Sequence, residues 1–113
     1  MIKGVGVDIV ENNRFSTFPH GALEKIFTQS ELLEMERRVN KTEYLASRFA
    51  VKEAVVKAFG TGFRGWSAKD IETGSDEGGR PFVLVKGKRD DSIHLSLSHE
   101  KGYSIAFVVL EEV

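Results

Sequence analysis

Glu43-Tyr44-Leu45-Ala46-Ser47-Arg48-Phe49-Ala50-Val51-Lys52-Glu53-Ala54-Val55-Val56-Lys57-Ala58-Phe59-Gly60-Thr61-Gly62 is the stretch on which the fold turns. It holds no glycine or proline before Gly60, so it predicts a helix over about Glu43–Phe59, capped by Thr42 and stopped by a left-handed Gly60. At about 100° per residue, Leu45, Phe49 and Val56 share one stripe. Ala46, Ala50, Ala54 and Ala58 make much of the remaining surface small and apolar, which lets neighbours press on most sides. Arg48 and Lys52 flank the stripe on one side, Glu53 and Lys57 on the other.

Working outward, Val5, Val7 and Ile9 alternate with Gly4, Gly6 and Asp8, the period-two pattern of a half-buried strand. Its glycines leave one face nearly bare, open to another backbone or a ligand. Asn12-Asn13 ends it, and a short irregular or helical piece runs to about Phe27. Thr28-Gln29-Ser30-Glu31 reads as a capping box opening a helix to about Val39. After the long helix the chain reads as strands. Asp70–Thr73 and Phe82–Lys86 flank a turn-rich segment, and Ile93, Leu95 and Leu97 alternate with polar residues. Tyr103 to Leu110 is almost continuously apolar, as a strand buried on both faces would be. The expected fold class is α+β: an antiparallel sheet packed on a long central helix, in one domain over residues 1–113.

Composition narrows the function. With no cysteine among 113 residues there are no disulfides, thiolate metal sites or thiol nucleophiles. The net charge of −1 disfavours a nucleic-acid partner. No apolar run reaches the roughly 20 residues needed to span a bilayer, and the N-terminus does not read as a signal peptide. A cytoplasmic location is expected. Glu31, Glu34 and Glu36 are followed closely by Arg37, Arg38, Lys41, Arg48, Lys52 and Lys57, a distribution that a solvated helix surface would also show.

Each candidate for chemistry has an ordinary alternative. Glu53 and Lys57 are either an i,i+4 salt bridge or a carboxylate and an ammonium waiting for a metal and a phosphate. Asp8 is either a turn-capping aspartate or, with Glu53, one of two hard oxygen ligands of the kind Mg²⁺ takes beside substrate phosphates. Gly60-Thr61-Gly62 either stops the helix or gives a tight backbone that a phosphate-bearing ligand can approach. It is not a P-loop, which opens a helix. Ser98-His99 lies at a strand end, where a histidine is ordinarily a polar turn residue. There is no G-x-S-x-G elbow for a hydrolase, and His20 and His94 show no zinc spacing with it.

Taken together these segments resemble the holo-acyl-carrier-protein synthases, the small bacterial phosphopantetheinyl transferases. The resemblance is carried by Gly4-Val5-Gly6-Val7-Asp8-Ile9-Val10-Glu11 with Arg14, by Phe27-Thr28 with Glu31, and by Glu43 to Ala54 continued through Lys57 to Gly62. Leu97-Ser98-His99 and Val108-Val109-Leu110-Glu111 complete it. It implies that Asp8 and Glu53 hold Mg²⁺, and that Lys57 contacts the phosphate chain of coenzyme A. Arg48 and His99, with Gly60, Thr61 and Gly62, would line the coenzyme A cleft. Lys41 would meet the 3′-phosphate, and Arg14 would dock the acidic acyl carrier protein. It further implies a homotrimer with shared active sites and a role in fatty acid biosynthesis. Ser47 stands where the family usually has glycine, Val51 where alanine is commoner, and Val39-Asn40 where basic residues are frequent.

The implied reaction is in-line attack by a carrier-protein serine on the β-phosphorus of coenzyme A, releasing adenosine 3′,5′-bisphosphate. Glu53 is the candidate general base, directly or through a water. Lys57 would stabilise phosphate charge or protonate the leaving group. The competing reading is a noncatalytic α+β module that binds a carrier protein or nucleotide.

Overall fold

The structure, a computed structural model, describes residues 1–112. Strand β1 spans Ile2–Glu11 and runs through a 3₁₀ turn, Asn12–Phe15, to the short helix α1, His20–Leu23. Helices α2, Gln29–Glu36, and α3, Lys41–Phe59, follow. The remaining strands are β2, Ile71–Ser75; β3, Pro81–Val85; β4, Lys88–Arg89; β5, Ile93–Glu100; and β6, Tyr103–Glu111. They form two three-stranded antiparallel sheets, ordered β1-β6-β5 and β2-β3-β4, where the sequence suggested one. The architecture is α+β as expected, with α3 packed across β1 and β6.

The glycine-rich face of β1 explains how closely helix and sheet approach. A Cβ on Gly6 would lie 1.9 Å from the Ala54 carbonyl oxygen, and one on Gly4 would lie 2.0 Å from that of Ala58. So the bare face meets the alanine side of α3, backbone to backbone. Ala46, Ala50, Ala54, Val51 and Val55 are fully buried around this contact, with Ala106 and Val108 of β6 behind it.

Three local readings are corrected. Asn40, not Thr42, caps α3: its side-chain oxygen accepts from the Glu43 amide at 3.1 Å, and the helix begins at Lys41. Thr42 instead donates to that same oxygen. The capping box is formed by Thr28 and Glu31, but α2 ends at Glu36 rather than Val39, closed by the Arg37 amide on Glu34 and Met35 carbonyls. Strand β6 is not buried on both faces. Ser104, Ala106, Val108 and Leu110 point inward, whereas Tyr103 and Phe107 are about half exposed. In the β1–β6 register Val7 lies opposite Phe107 and Ile9 opposite Ile105. Val5, Val7 and Ile9 are themselves exposed, so the outer face of this sheet is a contiguous apolar surface.

Candidate active site

Asp8 follows Gly4 and Gly6 on the same face of β1, because strand side chains alternate. The glycines bring α3 down onto the strand, and Asp8 is the first position on that face with a polar side chain to meet it. Its Oδ1 accepts from Lys57 Nζ at 3.0 Å, and the same ammonium donates to the Val7 carbonyl at 2.9 Å. Asp8 sits inside the strand with its side chain largely buried, so it is not a turn cap. Among the described residues, the ion-pair partner of Lys57 is Asp8, across the helix–strand junction, rather than Glu53 one turn away.

Glu53 is half-buried on the helix beside this pair. Burial pushes its carboxyl above the usual carboxylate range, and the charge of Asp8 pushes it further; Lys57 and Arg14 pull it back. Two carboxylates that repel each other beside an ammonium form a donor set for a hard divalent cation with phosphate. Among the described residues no group of three or more His, Asp or Glu is placed together to hold a metal ion. Arg14, on the 3₁₀ turn after β1, places its guanidinium 4.9 Å from the Phe49 ring centre and is close enough to act on Glu53. Asp8, Arg14, Glu53 and Lys57 are therefore one neighbourhood.

Arg48 and His99 belong to another. Arg48 precedes Glu53 by five residues, roughly 140° around the helix. Its guanidinium stacks over Tyr44 at 4.6 Å, and Arg38 stacks over the same ring at 4.8 Å. Burial lowers the Arg48 pKa, Tyr44 offsets part of that, and the nearby charge of Arg38 lowers it further. Its Nε is buried without a hydrogen-bond partner, although its terminal nitrogen donates to Ser47 Oγ at 2.9 Å. A cleft of about 320 Å³ joins Arg38, Arg48, Ser98 and His99, with His99 Nε2 3.8 Å from the Glu43 carboxylate. Lys41 points elsewhere, its ammonium 3.4 Å from the Glu36 and Arg38 carbonyls at the end of α2.

Gly60 and Gly62 adopt left-handed φ of 77° and 62°, folding the chain back past the end of α3. The Gly62 carbonyl accepts from Trp66 Nε1 at 3.0 Å, and Trp66 packs edge-on against Phe59. Thr61 lies with both rings on an apolar recess of about 430 Å³.

Sequence reasoning missed two features. Lys52, grouped with the surface cations, is fully buried. Its ammonium bonds Glu31 Oε1 and the Ala68 carbonyl at 2.9 Å each, and also the Ile71 carbonyl. Its signal lay in the alanine-rich surroundings together with the Glu31 capping box, one carboxylate serving both. The Arg38–Tyr44–Arg48 stack was signalled only by the i,i+4 spacing of Tyr44 and Arg48.

The sequence profile of the 4′-phosphopantetheinyl transferase superfamily matches residues 4–108. The chain belongs to that superfamily. Among relatives, the holo-[acyl-carrier-protein] synthase of Halothermothrix orenii is 46% identical, with 99% of this chain and 99% of the relative covered. That of Oceanobacillus iheyensis is 47% identical, over 98% of each. Among solved structures, the holo-(acyl-carrier-protein) synthase of Bacillus anthracis, in complex with CoA (3′,5′-ADP), is similar with a TM-score of 0.87 and 38% identity. The match covers 100% of this chain and 99% of that one. The transferase fold is thus shared over the whole matched length, and the resemblance read from the motifs holds.

Proposed function

We propose that this transferase is a holo-[acyl-carrier-protein] synthase, moving 4′-phosphopantetheine from coenzyme A to a serine of apo acyl carrier protein in fatty acid biosynthesis. The observation that carries it is the Asp8–Lys57–Glu53 junction, set by the Gly4 and Gly6 contacts with α3, in a chain whose relatives bear that name. Asp8 and Glu53 would hold Mg²⁺, which when bound supplies positive charge against the phosphates of coenzyme A.

The protein groups act as follows. Lys57 presents a fixed ammonium, anchored by Val7 and Asp8, to the phosphate chain and stabilises the charge that develops on its oxygens. Glu53, its carboxyl raised by burial, accepts the serine proton as the hydroxyl attacks, directly or through a water. Gly60, Thr61 and Gly62 allow the ligand close to the chain beyond α3. Arg48 and His99 meet the nucleotide end, whereas the Lys41 ammonium lies against the Glu36 and Arg38 carbonyls. Arg14 docks the acidic carrier.

Two observations favour association of copies, which the family resemblance implies to be a homotrimer with shared sites. The outer face of β1 and β6 is apolar and exposed, and the Asp8 and Arg48 neighbourhoods lie on different sides of α3. No helix among the described residues is long and apolar enough to cross a membrane. The direct test is to incubate the protein with apo carrier, coenzyme A and Mg²⁺ and weigh the carrier. A gain of one phosphopantetheine is the expected result. Retained binding with unchanged mass would favour the noncatalytic module.

A further inference from the structure

Phe27, Thr28 and Glu31 have no part in the chemistry assigned above, yet they converge on one buried ammonium. Phe27 and Lys52 are fully buried, and Lys52 Nζ lies 5.6 Å from the Phe27 ring centre. Glu31 is buried too, and its Oε1 accepts from Lys52 Nζ at 2.9 Å and from the Thr28 amide at 3.0 Å. Thr28 Oγ1 in turn donates to Glu72 Oε2 on β2 at 2.9 Å. Burying a lysine is costly unless its charge is paired and its protons are bonded. Here its three donors meet three acceptors: Glu31 Oε1 and the carbonyls of Ala68 and Ile71.

Those two carbonyls belong to the segment that returns from the end of α3. The Lys52–Ala68 bond joins residues 16 apart and closes a loop of chain. Glu53, Lys57 and the Gly60-Thr61-Gly62 turn all lie inside that loop. Beyond α3, Gly60, Gly62 and Gly65 have positive φ, and the next regular element begins at Ala68. Glycines leave a backbone little conformational preference of its own. The turn therefore relies on its two ends, the Gly60 cap on one side and the carbonyls held by Lys52 on the other.

We propose that Lys52 is a positioning residue: held by Phe27, Thr28 and Glu31, it ties the return segment at Ala68 and Ile71 to α3 and so sets the Gly60-Thr61-Gly62 turn where coenzyme A meets it. None of the four side chains touches substrate; they act through the turn. The inference rests on the transferase reading and gives the Phe27-Thr28-Glu31 motif a role in it.

Lys52→Met with Glu31→Leu separates stability from positioning. The pair replaces two buried charges by apolar side chains, which recovers stability relative to Lys52→Met alone, yet it leaves the Ala68 and Ile71 carbonyls without the ammonium. Each protein is assayed at a temperature where it is folded. By calorimetry the double variant should bind coenzyme A about 10-fold more weakly than the parent, roughly the worth of one hydrogen bond. Its KM for coenzyme A should rise alike, while that for the carrier stays within about twofold. Trp66, the one tryptophan of the chain, bonds the Gly62 carbonyl and so reports on the turn; acrylamide should quench it more strongly in the double variant. Thr28→Val, which loses the cap and the Glu72 bond, should fold and shift coenzyme A affinity and quenching the same way by less. Parent-like affinity and quenching in the folded double variant, or equal rises in both KM values, would make Lys52 merely structural and overturn the proposal. Should the double variant not fold, Thr28→Val decides alone, and parent values for both readouts overturn the proposal. If the variants loosen coenzyme A as expected but the parent never loads a carrier, the positioning role stands and the transferase reading falls.

Discussion

Gly6→Ala tests the contact on which both the fold and the site depend. The new Cβ would sit 1.9 Å from the Ala54 carbonyl oxygen and 2.9 Å from both Ala54 C and Ala58 N. Carbon and carbonyl oxygen normally stay about 3.3 Å apart even in close backbone contacts. Strand and helix must therefore separate by more than about 1 Å, and because every opposing atom is backbone, no side chain can rotate away. Overpacking of this kind costs about 3 kcal/mol, the upper end of the usual range. For a domain of this size that is a fall in melting temperature of roughly 10 °C. The same movement withdraws α3 from Asp8, two residues along the strand, so Lys57 loses its partner and Glu53 its position. A misplacement of about 1 Å can cost about 10²-fold in rate. Thermal unfolding and single-turnover loading of apo carrier should be measured together, with Gly21→Ala as control, since a Cβ there meets nothing within 4 Å. If Gly6→Ala melts within about 2 °C of the parent and turns over normally, the close approach does not set the site.

Glu53→Gln should cut turnover by at least about 10²-fold in saturating Mg²⁺ and coenzyme A. Because the folded protein raises the Glu53 pKa, it binds the proton more tightly than the unfolded chain, so the parent loses stability as pH rises from the ordinary carboxylate value through the raised one. Ligand-free Glu53→Gln should therefore melt no lower than the parent at pH 7, and a clear loss of stability there would refute the argument. Chelating divalent metal should abolish loading and added Mg²⁺ restore it; full turnover in excess chelator would remove the metal from Asp8 and Glu53. Lys52→Met strands the Glu31 carboxylate and two carbonyls in the interior, and urea unfolding should register a loss of about 3–5 kcal/mol. Adding Glu31→Leu should recover part of that loss, and strict additivity of the two changes would argue against a coupled pair.

Long periodic segments were legible because their pattern is local. The helix ending at Gly60, the strand through Asp8 and the Thr28–Glu31 box are written in neighbouring residues, and each forms within a few positions of where the pattern puts it. What could not be read was partner choice across the fold. Lys57 can reach either Glu53 on its own helix or Asp8 on the strand, and only the Gly4 and Gly6 contacts decide for Asp8. Lys52 looked like a surface cation until Glu31, twenty-one residues away, was placed against it. Strand β6 is apolar on both faces, which in sequence looks like double burial; in the folded chain only its inner face is covered.

That uncovered face bears on how a site divided between two sides of one helix could work. On the proposed function, the Asp8–Glu53–Lys57 set would meet the pyrophosphate of coenzyme A and Arg48 its nucleotide end. Coenzyme A carries both groups on one nucleotide, only a few bonds apart. The electrostatic neighbours of Glu53 are Asp8, Lys57 and Arg14, whereas those of Arg48 are Tyr44, Arg38 and Glu31. Glu53 and Arg48 stand roughly 140° apart around α3, so the two sets open on different sides of the helix. The apolar stripe of Val5, Val7, Ile9 and Phe107 offers an interface through which copies could associate, and its burial would supply the driving force. The exposed valines of β1 and the glycines between them face opposite sides of the strand: the glycines set Asp8 against its own helix, and the valines form the outer apolar face.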